Sequence, residues 1–304
     1  MRVLLIDGSN YLHRGHWAIA GSKKEKLETS EGFPTSGIKG MLNIILADIR
    51  LLIPDRVIVC YDKGGAPTWR HIEYPEYKCS PGRLAQKAKA KASGNNVYEQ
   101  LRPTQLLLKA MGVRQIGVLG EEADDIIGTL AVMFSEAGHE VLIGSSDKDF
   151  GSLVNRQVKI VESLTRRLLG IKGVQEKFGV KPSKMVEYLM LQGDAIDNIP
   201  GVFRCGSKTA AKLLNEYGTL KEVVANASEL TPALQKNLLK ARKVFKWTRR
   251  LLTIKTTVEH KITCTNCNFK TPDYDKIAQI CKELELKELH KKITEMLQRK
   301  HQWK

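Results

Sequence analysis

The sequence predicts an α/β domain built on a mainly parallel sheet, followed by a helical C-terminal region. Three observations carry this. Short apolar segments alternate with helix-period segments up to about residue 170, as in strands joined by crossover helices. Beyond 170 the strand signal fades and short helices take over. The clear strands also end in acids, and the carboxyl ends of parallel strands are where functional groups gather.

The elements follow in order. Residues 3–6 are an apolar strand ending at Asp7, and Gly8-Ser9-Asn10 is turn chemistry. Residues 12–20 fit neither period well, and 21–36 read as a polar loop. A helix over 37–52 stops before Pro54. Residues 56–61 form a buried-type strand that ends at Asp62-Lys63-Gly64-Gly65. The stretch 67–96 is poor in core residues. Then come a helix over 98–111, a strand over 113–118, a helix over 121–136 and a strand over 140–143. That strand runs into Gly144-Ser145-Ser146-Asp147-Lys148-Asp149, and 158–162 closes this part. Helices are predicted at 173–178, 183–191, 207–217, 219–225 and 232–250, with one or two more after Asp273.

Composition narrows the function. The chain has 304 residues and 42% hydrophobic content, enough for a proper core. No apolar run reaches the roughly 18 residues of a membrane span, and the N-terminus is too short in its apolar part for a signal peptide. The six cysteines are scattered, which reads as reduced thiols in a cytosol-like compartment. Cys264-x-x-Cys267 lacks a second ligand pair, so zinc is disfavoured. Net charge is +16, from 49 basic and 33 acidic residues, and points to a polyanionic partner, nucleic acid before any anionic membrane surface.

Against that basic background, acids concentrate at a few places. Glu121, Glu122, Asp124 and Asp125 open a helix. The helix dipole offsets only about 0.3–1 kcal/mol per charge, whereas two unit charges 4 Å apart near a protein surface repel by about 4 kcal/mol. Such carboxylates need cations, shifted proton affinities or full exposure. Taken alone, they equally describe a solvated acidic first turn. Asp7, Asp62, Asp147 and Asp149 change the balance, because the predicted topology delivers all of them to one sheet edge. Hard oxygen ligands select Mg²⁺ or Mn²⁺, and two such ions about 4 Å apart can clamp the oxygens of a phosphodiester. Asp194 and Asp197, three apart in a helix-to-turn segment, are a further pair, equally readable as a capped turn.

Two basic features suit a phosphate backbone. Gly201 to Ala211 is a Gly-punctuated turn entering a helix, where backbone N–H groups and Lys208 can meet a phosphate. It is the grammar of a helix–hairpin–helix. It is not a Walker A loop, since Ser207 separates the second Gly from Lys208 and no strand precedes it. Arg83, Lys87 and Lys91 recur every four residues as a basic stripe, a solvated helix face or an arch through which DNA passes. Lys78 and Arg83 could stabilise charge on a scissile phosphate. The Asp149-Phe150-Gly151 triplet lacks the other kinase motifs, and His13, His16, His71 and His139 have no metal-ligand spacing.

These residues together resemble the 5′→3′ exonuclease and flap endonuclease family, which comprises the N-terminal nuclease domain of bacterial DNA polymerase I and free-standing bacterial and bacteriophage enzymes. The matches are Leu5-Ile6-Asp7-Gly8-Ser9-Asn10, Tyr61-Asp62-Lys63-Gly64, Pro75-Glu76-Tyr77-Lys78, Glu122-Ala123-Asp124-Asp125, Ser146-Asp147-Lys148-Asp149-Phe150, Gly193-Asp194 through Gly201, and Gly206-Ser207-Lys208-Thr209-Ala210. They stand in family order, and the tail looks similar too.

The resemblance implies a PIN-like fold, with a nuclease core over 1–170 that includes a helical arch at 67–96. A helical DNA-binding region follows over 171–304, with a helix–hairpin–helix and terminal helices. It implies two Mg²⁺ ions, replaceable by Mn²⁺. Asp7, Asp62, Glu122 and Asp124 would serve mainly one, and Asp125, Asp147, Asp149, Asp194 and Asp197 mainly the other. Lys78 and Arg83 would assist hydrolysis. Tyr77, Lys87, Lys91, Arg204, Gly206, Ser207, Lys208 and Thr209 would touch DNA.

The implied substrates are DNA 5′ flaps, nicks and free ends, with RNA primer strands as a further partner. The expected setting is a monomer in the cytoplasm of a bacterial or phage-infected cell. Two departures stand out. Arg83 follows Lys78 by five positions where the family uses three, and Arg204-Cys205 replaces Gly-Ile in the hairpin. The second bears on the K⁺ site that the family often builds from hairpin carbonyls. The competing readings are a structure-specific DNA-binding protein with vestigial catalysis and a PIN-type ribonuclease.

Overall fold

The protein is seen here as a computed structural model that describes residues 1–20, 27–92, 97–162 and 165–301. Strands β1 (Arg2–Asp7), β2 (Arg56–Cys60), β3 (Arg114–Ile116), β4 (Glu140–Gly144), β5 (Val158–Val161) and β6 (Leu168–Leu169) form one sheet. Their order is β3-β2-β1-β4-β5-β6. All neighbours run parallel except β5 and β6, whose antiparallel pairing the sequence pattern did not show.

The order reverses direction between β1 and β4. Successive strands spread one way from β1 to β3 and the other way from β4 to β6. A crevice opens at such a switch point, outside the carboxyl ends of the strands.

β1 shows how the two faces are covered. Leu4 and Ile6 point into one apolar cluster, Val3 and Leu5 into the other, as the two-residue period of a strand requires. Each is fully buried, worth about 1.5–3 kcal/mol apiece relative to exposure. The first face is covered by α1 (Gly8–Ala20), α2 (Ser36–Leu52) and α5 (Leu101–Ala110). The second is covered by α6 (Ala123–Glu136) and, beyond it, the helical region.

That region contains α7 (Ile171–Phe178), α8 (Met185–Gln192), α9 (Ser207–Tyr217), α10 (Leu220–Ala225), α11 (Pro232–Ala241) and α12 (Phe245–Leu252). Two short helices, α3 (Trp69–Glu73) and α4 (Pro81–Ala92), lie in the segment read as an arch.

Several expectations change. Gly8-Ser9-Asn10 is no turn: α1 starts directly after β1, with the Asp7 carboxylate accepting the Asn10 N–H at 2.9 Å as a cap. Glycine is required at position 8 because an added Cβ would collide with the Tyr61 ring. The single helix expected over 232–250 is broken by a 3₁₀ turn, Arg242–Val244, which re-phases the apolar stripe from Leu238 to Thr248, Leu251 and Leu252.

The terminal helices α13 (Tyr274–Glu283) and α14 (Lys287–His301) pack on the α/β part rather than on the other C-terminal helices. Ile277, Ile280, Leu289 and Ile293 join the cluster of α2 and α5. No helix among the described residues is long and apolar enough to cross a membrane. The six cysteines are free thiols.

Candidate active site

The parallel register places the strand-end acids on one edge. Asp7 pairs with Cys60 across β1 and β2, so Asp62 lies just past the same end. Glu122 is the N-cap of α6, and the Asp62 carboxylate accepts the Ala123 N–H at 2.8 Å, tying the ends of β2 and α6 together. Across the switch point the Ser145 hydroxyl donates to Asp7 at 3.2 Å and Asn10 Nδ2 donates to Ser146 Oγ at 2.7 Å. The Asp147 carboxylate accepts the Asp149 N–H at 2.9 Å.

Asp7, Asp62, Asp124, Asp147 and Asp149 thus neighbour one another, and among the described residues none forms an ion pair with Lys or Arg. Burial, reinforced by the charges of Asp62 and Asp147 against the Asn10 hydrogen bond, pushes the Asp7 carboxyl up to about 6. Burial, then Asp147 and Asp7, holds the proton affinity of Asp124 well above the carboxylate range. Burial, then Asp147 and Asp194, does the same for Asp149.

A second set of acids is already neutralised. Asp125 is completely buried. Its carboxylate takes both ends of the Arg70 guanidinium at 2.7 and 2.8 Å, the Trp69 indole N–H at 2.8 Å and the Lys255 backbone N–H at 2.9 Å. Arg70 also donates to Glu122 at 2.6 Å and to the Leu251 and Thr253 carbonyls. Glu122 takes Lys78 Nζ at 2.6 Å on its other oxygen. Burial would raise the Glu122 carboxyl, but Lys78 and Arg70 outweigh it and hold it below its ordinary value.

Asp125, expected as a metal ligand, is the anchor of a buried ion pair, and four protein donors already occupy its acceptor directions. Tyr77, expected to touch DNA, faces inward. It is buried, 3% exposed, and its hydroxyl lies 3.2 Å from Glu122 and 3.1 Å from Asp197 rather than facing a ligand.

The arch base and the hairpin loop are stitched at Asp197. Its carbonyl accepts the Lys78 N–H at 3.0 Å, and its carboxylate takes Arg83 Nη1 at 3.2 Å. Arg83 thus reaches the acid edge despite its shifted spacing. Burial raises the Asp197 carboxyl, with Lys78 opposing. Burial would lower the Lys78 ammonium, but Glu122, Asp197 and Asp124 reverse it and keep it firmly charged.

Asp194 and Asp197 lie in the turn rather than on a helix. Asp194 caps that turn, accepting the Ile196 and Asp197 N–H groups, and pairs with Lys148 at 3.0 Å. The side chains of Lys87 and Lys91 lie outside the described residues.

The hairpin has the expected layout. Gly193 and Gly201 approach so closely that a Cβ on either would strike the other's backbone. Gly206 is the N-cap of α9 and offers no side-chain cap, and Ser207 and Lys208 are exposed, with Thr209 half-buried. Arg204 has φ 64°, the left-handed region glycine prefers, so the departure from Gly is carried at a strained position. Its guanidinium lies over the Phe203 ring.

Sequence reasoning missed Trp69, Arg70, Lys148 and Ser145. Arg70 was visible only as a lone arginine in a stretch that read as core-poor, and nothing local ties it to acids more than fifty residues away.

The residues fit divalent metal. The donors are hard carboxylate oxygens, and Asp149 Oδ1 is buried without a hydrogen-bond partner, an acceptor left for a ligand outside the chain. Among the described residues no three His, Cys, Asp or Glu side chains already close into a metal cage.

The fold and site define a member of the PIN-like nucleases. The first 5′-3′ exonuclease family model, an N-terminal resolvase-like domain, matches residues 2–179, and the second, a C-terminal SAM fold, matches 180–275. The chain belongs to the 5′-3′ exonuclease family. It is 31% identical to a 5′-3′ exonuclease of Aquifex aeolicus, covering 98% of this chain and 97% of that one. It is 33% identical to DNA polymerase I of Pseudomonas aeruginosa, covering 94% of this chain but 30% of the polymerase. A crystal structure of the bacteriophage T5 flap endonuclease with DNA and metal ions has the same fold, at a TM-score of 0.68 and 20% identity, covering 98% of this chain and all of that one.

Proposed function

We propose that this chain is a metal-dependent, structure-specific 5′ nuclease that hydrolyses DNA phosphodiesters at 5′ flaps, nicks and ends. The observation that carries the reading is the group Asp7, Asp62, Asp124, Asp147 and Asp149, crowded at the switch point with no ion pair to any member among the described residues. Five neighbouring acids in a strongly basic chain are hard to account for except as cation ligands, because uncompensated charge there would repel DNA.

Two Mg²⁺ ions held by these five residues, with Asp194 and Asp197 bordering them, would neutralise charge on the attacking and leaving oxygens of a phosphodiester. The chain supplies the rest. Lys78 and Arg83 bring positive charge from the arch to the same rim, where a scissile phosphate would take them over from Glu122 and Asp197. The backbone N–H groups of Ser207, Lys208 and Thr209 would donate to a duplex phosphate, fixing how far the cut lies from the duplex end. The T5 enzyme's complex with DNA and metal ions supports this assignment by fold. A bacterial cytoplasmic setting fits the bacterial relatives.

The deciding experiment offers one flap substrate as DNA or as RNA, with Mg²⁺ and with a chelator. Cleavage of the DNA flap that needs Mg²⁺ is expected. Binding without cleavage would favour a vestigial site, and preferred cutting of RNA would favour a ribonuclease.

A further inference from the structure

We propose that α11 and α12 carry a second phosphate-binding ridge, which grips the duplex beyond the hairpin; the inference rests on the DNA-nuclease reading. Between Thr231 and Arg250 the chain has seven basic residues (Lys236, Lys240, Arg242, Lys243, Lys246, Arg249, Arg250) and no acid. That concentration is close to half the net charge of the protein in twenty residues.

The last two arginines have protein partners: Arg249 pairs with Glu187 and Arg250 with Glu73. The other five are exposed and form no ion pair among the described residues. Lys236 and Lys240 are one helical turn apart, as are Lys243 and Lys246 across the 3₁₀ turn. Like charges at that spacing repel and cost helix stability. A row of such pairs kept free of acids suits an external polyanion.

Position identifies the partner. At one end of the ridge Asn237 Nδ2 donates to the Phe203 carbonyl at 2.9 Å, inside the hairpin, next to Arg204. At the other end Arg250 reaches Glu73 in α3, and Trp247 stacks edge-on against Tyr74 at the arch base. The ridge thus runs from hairpin to arch base, a path on which one phosphate backbone held at Lys208 would continue. At 1.5 Å per residue, Lys236 and Lys240 within α11 are about 6 Å apart along the axis, close to the spacing of successive phosphates.

The test replaces Lys236, Lys240 and Lys243 together with Gln and measures affinity for a nicked duplex across a NaCl series, beside Lys208→Ala. Three lost phosphate contacts should flatten the slope of log K against log salt by about 2.7, while the cleavage rate at saturating substrate stays near that of the parent. Lys208→Ala should flatten it by about 0.9. If the triple variant keeps the parental slope, the ridge is overturned. The nuclease reading would survive that result, because it is judged separately by Mg²⁺-dependent cleavage. Loss of binding to anionic phospholipid vesicles or to an acidic peptide, with DNA binding intact, would also overturn it. Should the triple variant melt early, Arg242→Gln with Lys246→Gln repeats the test, at an expected flattening of about 1.8.

Discussion

Two groups of acids share one edge of the sheet and have opposite physical standing. Asp125 and Glu122 are buried and charge-compensated, Asp125 by Arg70, the Trp69 indole and the Lys255 N–H, Glu122 by Arg70 and Lys78. Asp7, Asp124, Asp147 and Asp149 share that edge, yet meet mainly one another's charge. Burial acts on both groups, and the cation decides the result: Glu122 is held below its ordinary value while Asp7, Asp124 and Asp149 are held above theirs. The lesson is that being acidic, near the crevice and in the right motif does not make a ligand. A carboxylate held by Arg70 is already compensated inside the chain, whereas one with no ion-pair partner among the described residues leaves its charge to be met from outside.

The largest effect that separates the groups is on cleavage. Asp124→Asn or Asp147→Asn should reduce the rate about a thousandfold, since metal assistance is worth several kcal/mol and each 1.36 kcal/mol is tenfold. Both variants should remain folded and bind DNA. Retained cleavage in either would erase the distinction.

Next is stability. Arg70→Met strands the buried Asp125 charge and should cost about 3–5 kcal/mol in a denaturant titration. Arg70→Met combined with Asp125→Leu should recover much of it. If Asp125→Asn instead lowers cleavage by a thousandfold without loss of stability, Asp125 returns to the metal set.

The third contrast is in pH. Asp7 binds its proton more tightly folded than unfolded, with a folded value of about 6 against an ordinary 3.8. The folded state therefore holds more protons in that window, and stability falls as pH rises through it. Glu122 acts in the opposite sense, losing its contribution only as pH drops through its depressed value. The metal-free protein should melt at a lower temperature at pH 7 than at pH 5. Mg²⁺ at a hundred times its Kd should restore about 2.7 kcal/mol at pH 7 and much less at pH 5. Melting temperatures that rise from pH 5 to 7 without metal would contradict the assignment of the uncompensated group.

The smallest effect lies outside the edge. Arg204→Gly relieves a left-handed arginine and should stabilise the fold by up to about 1 kcal/mol, seen as a raised melting temperature. It should weaken duplex binding if the guanidinium touches phosphate, and leave cleavage of bound substrate unchanged.

Much of this architecture was legible in the linear chain. Alternating apolar segments marked β1, β2 and β4, because a buried parallel strand needs a continuous apolar run wherever it sits. Acids at the strand ends and the glycines of the hairpin could be read for the same reason: turn geometry and strand polarity are local. The very short β6 had no such signal, and Gly8-Ser9-Asn10 misled because the Asp7 cap, not residue propensity, starts α1.

What only the tertiary structure decided is the division of labour among the acids and the docking of α13 and α14 on the α2–α5 face. Arg70 meets Asp125 across 55 positions and the Leu251 carbonyl across 181. No period or spacing encodes such a meeting. Charge compensation is a property of which groups end up within hydrogen-bond reach, and that is settled by packing, after the local pattern has already been spent on forming the elements.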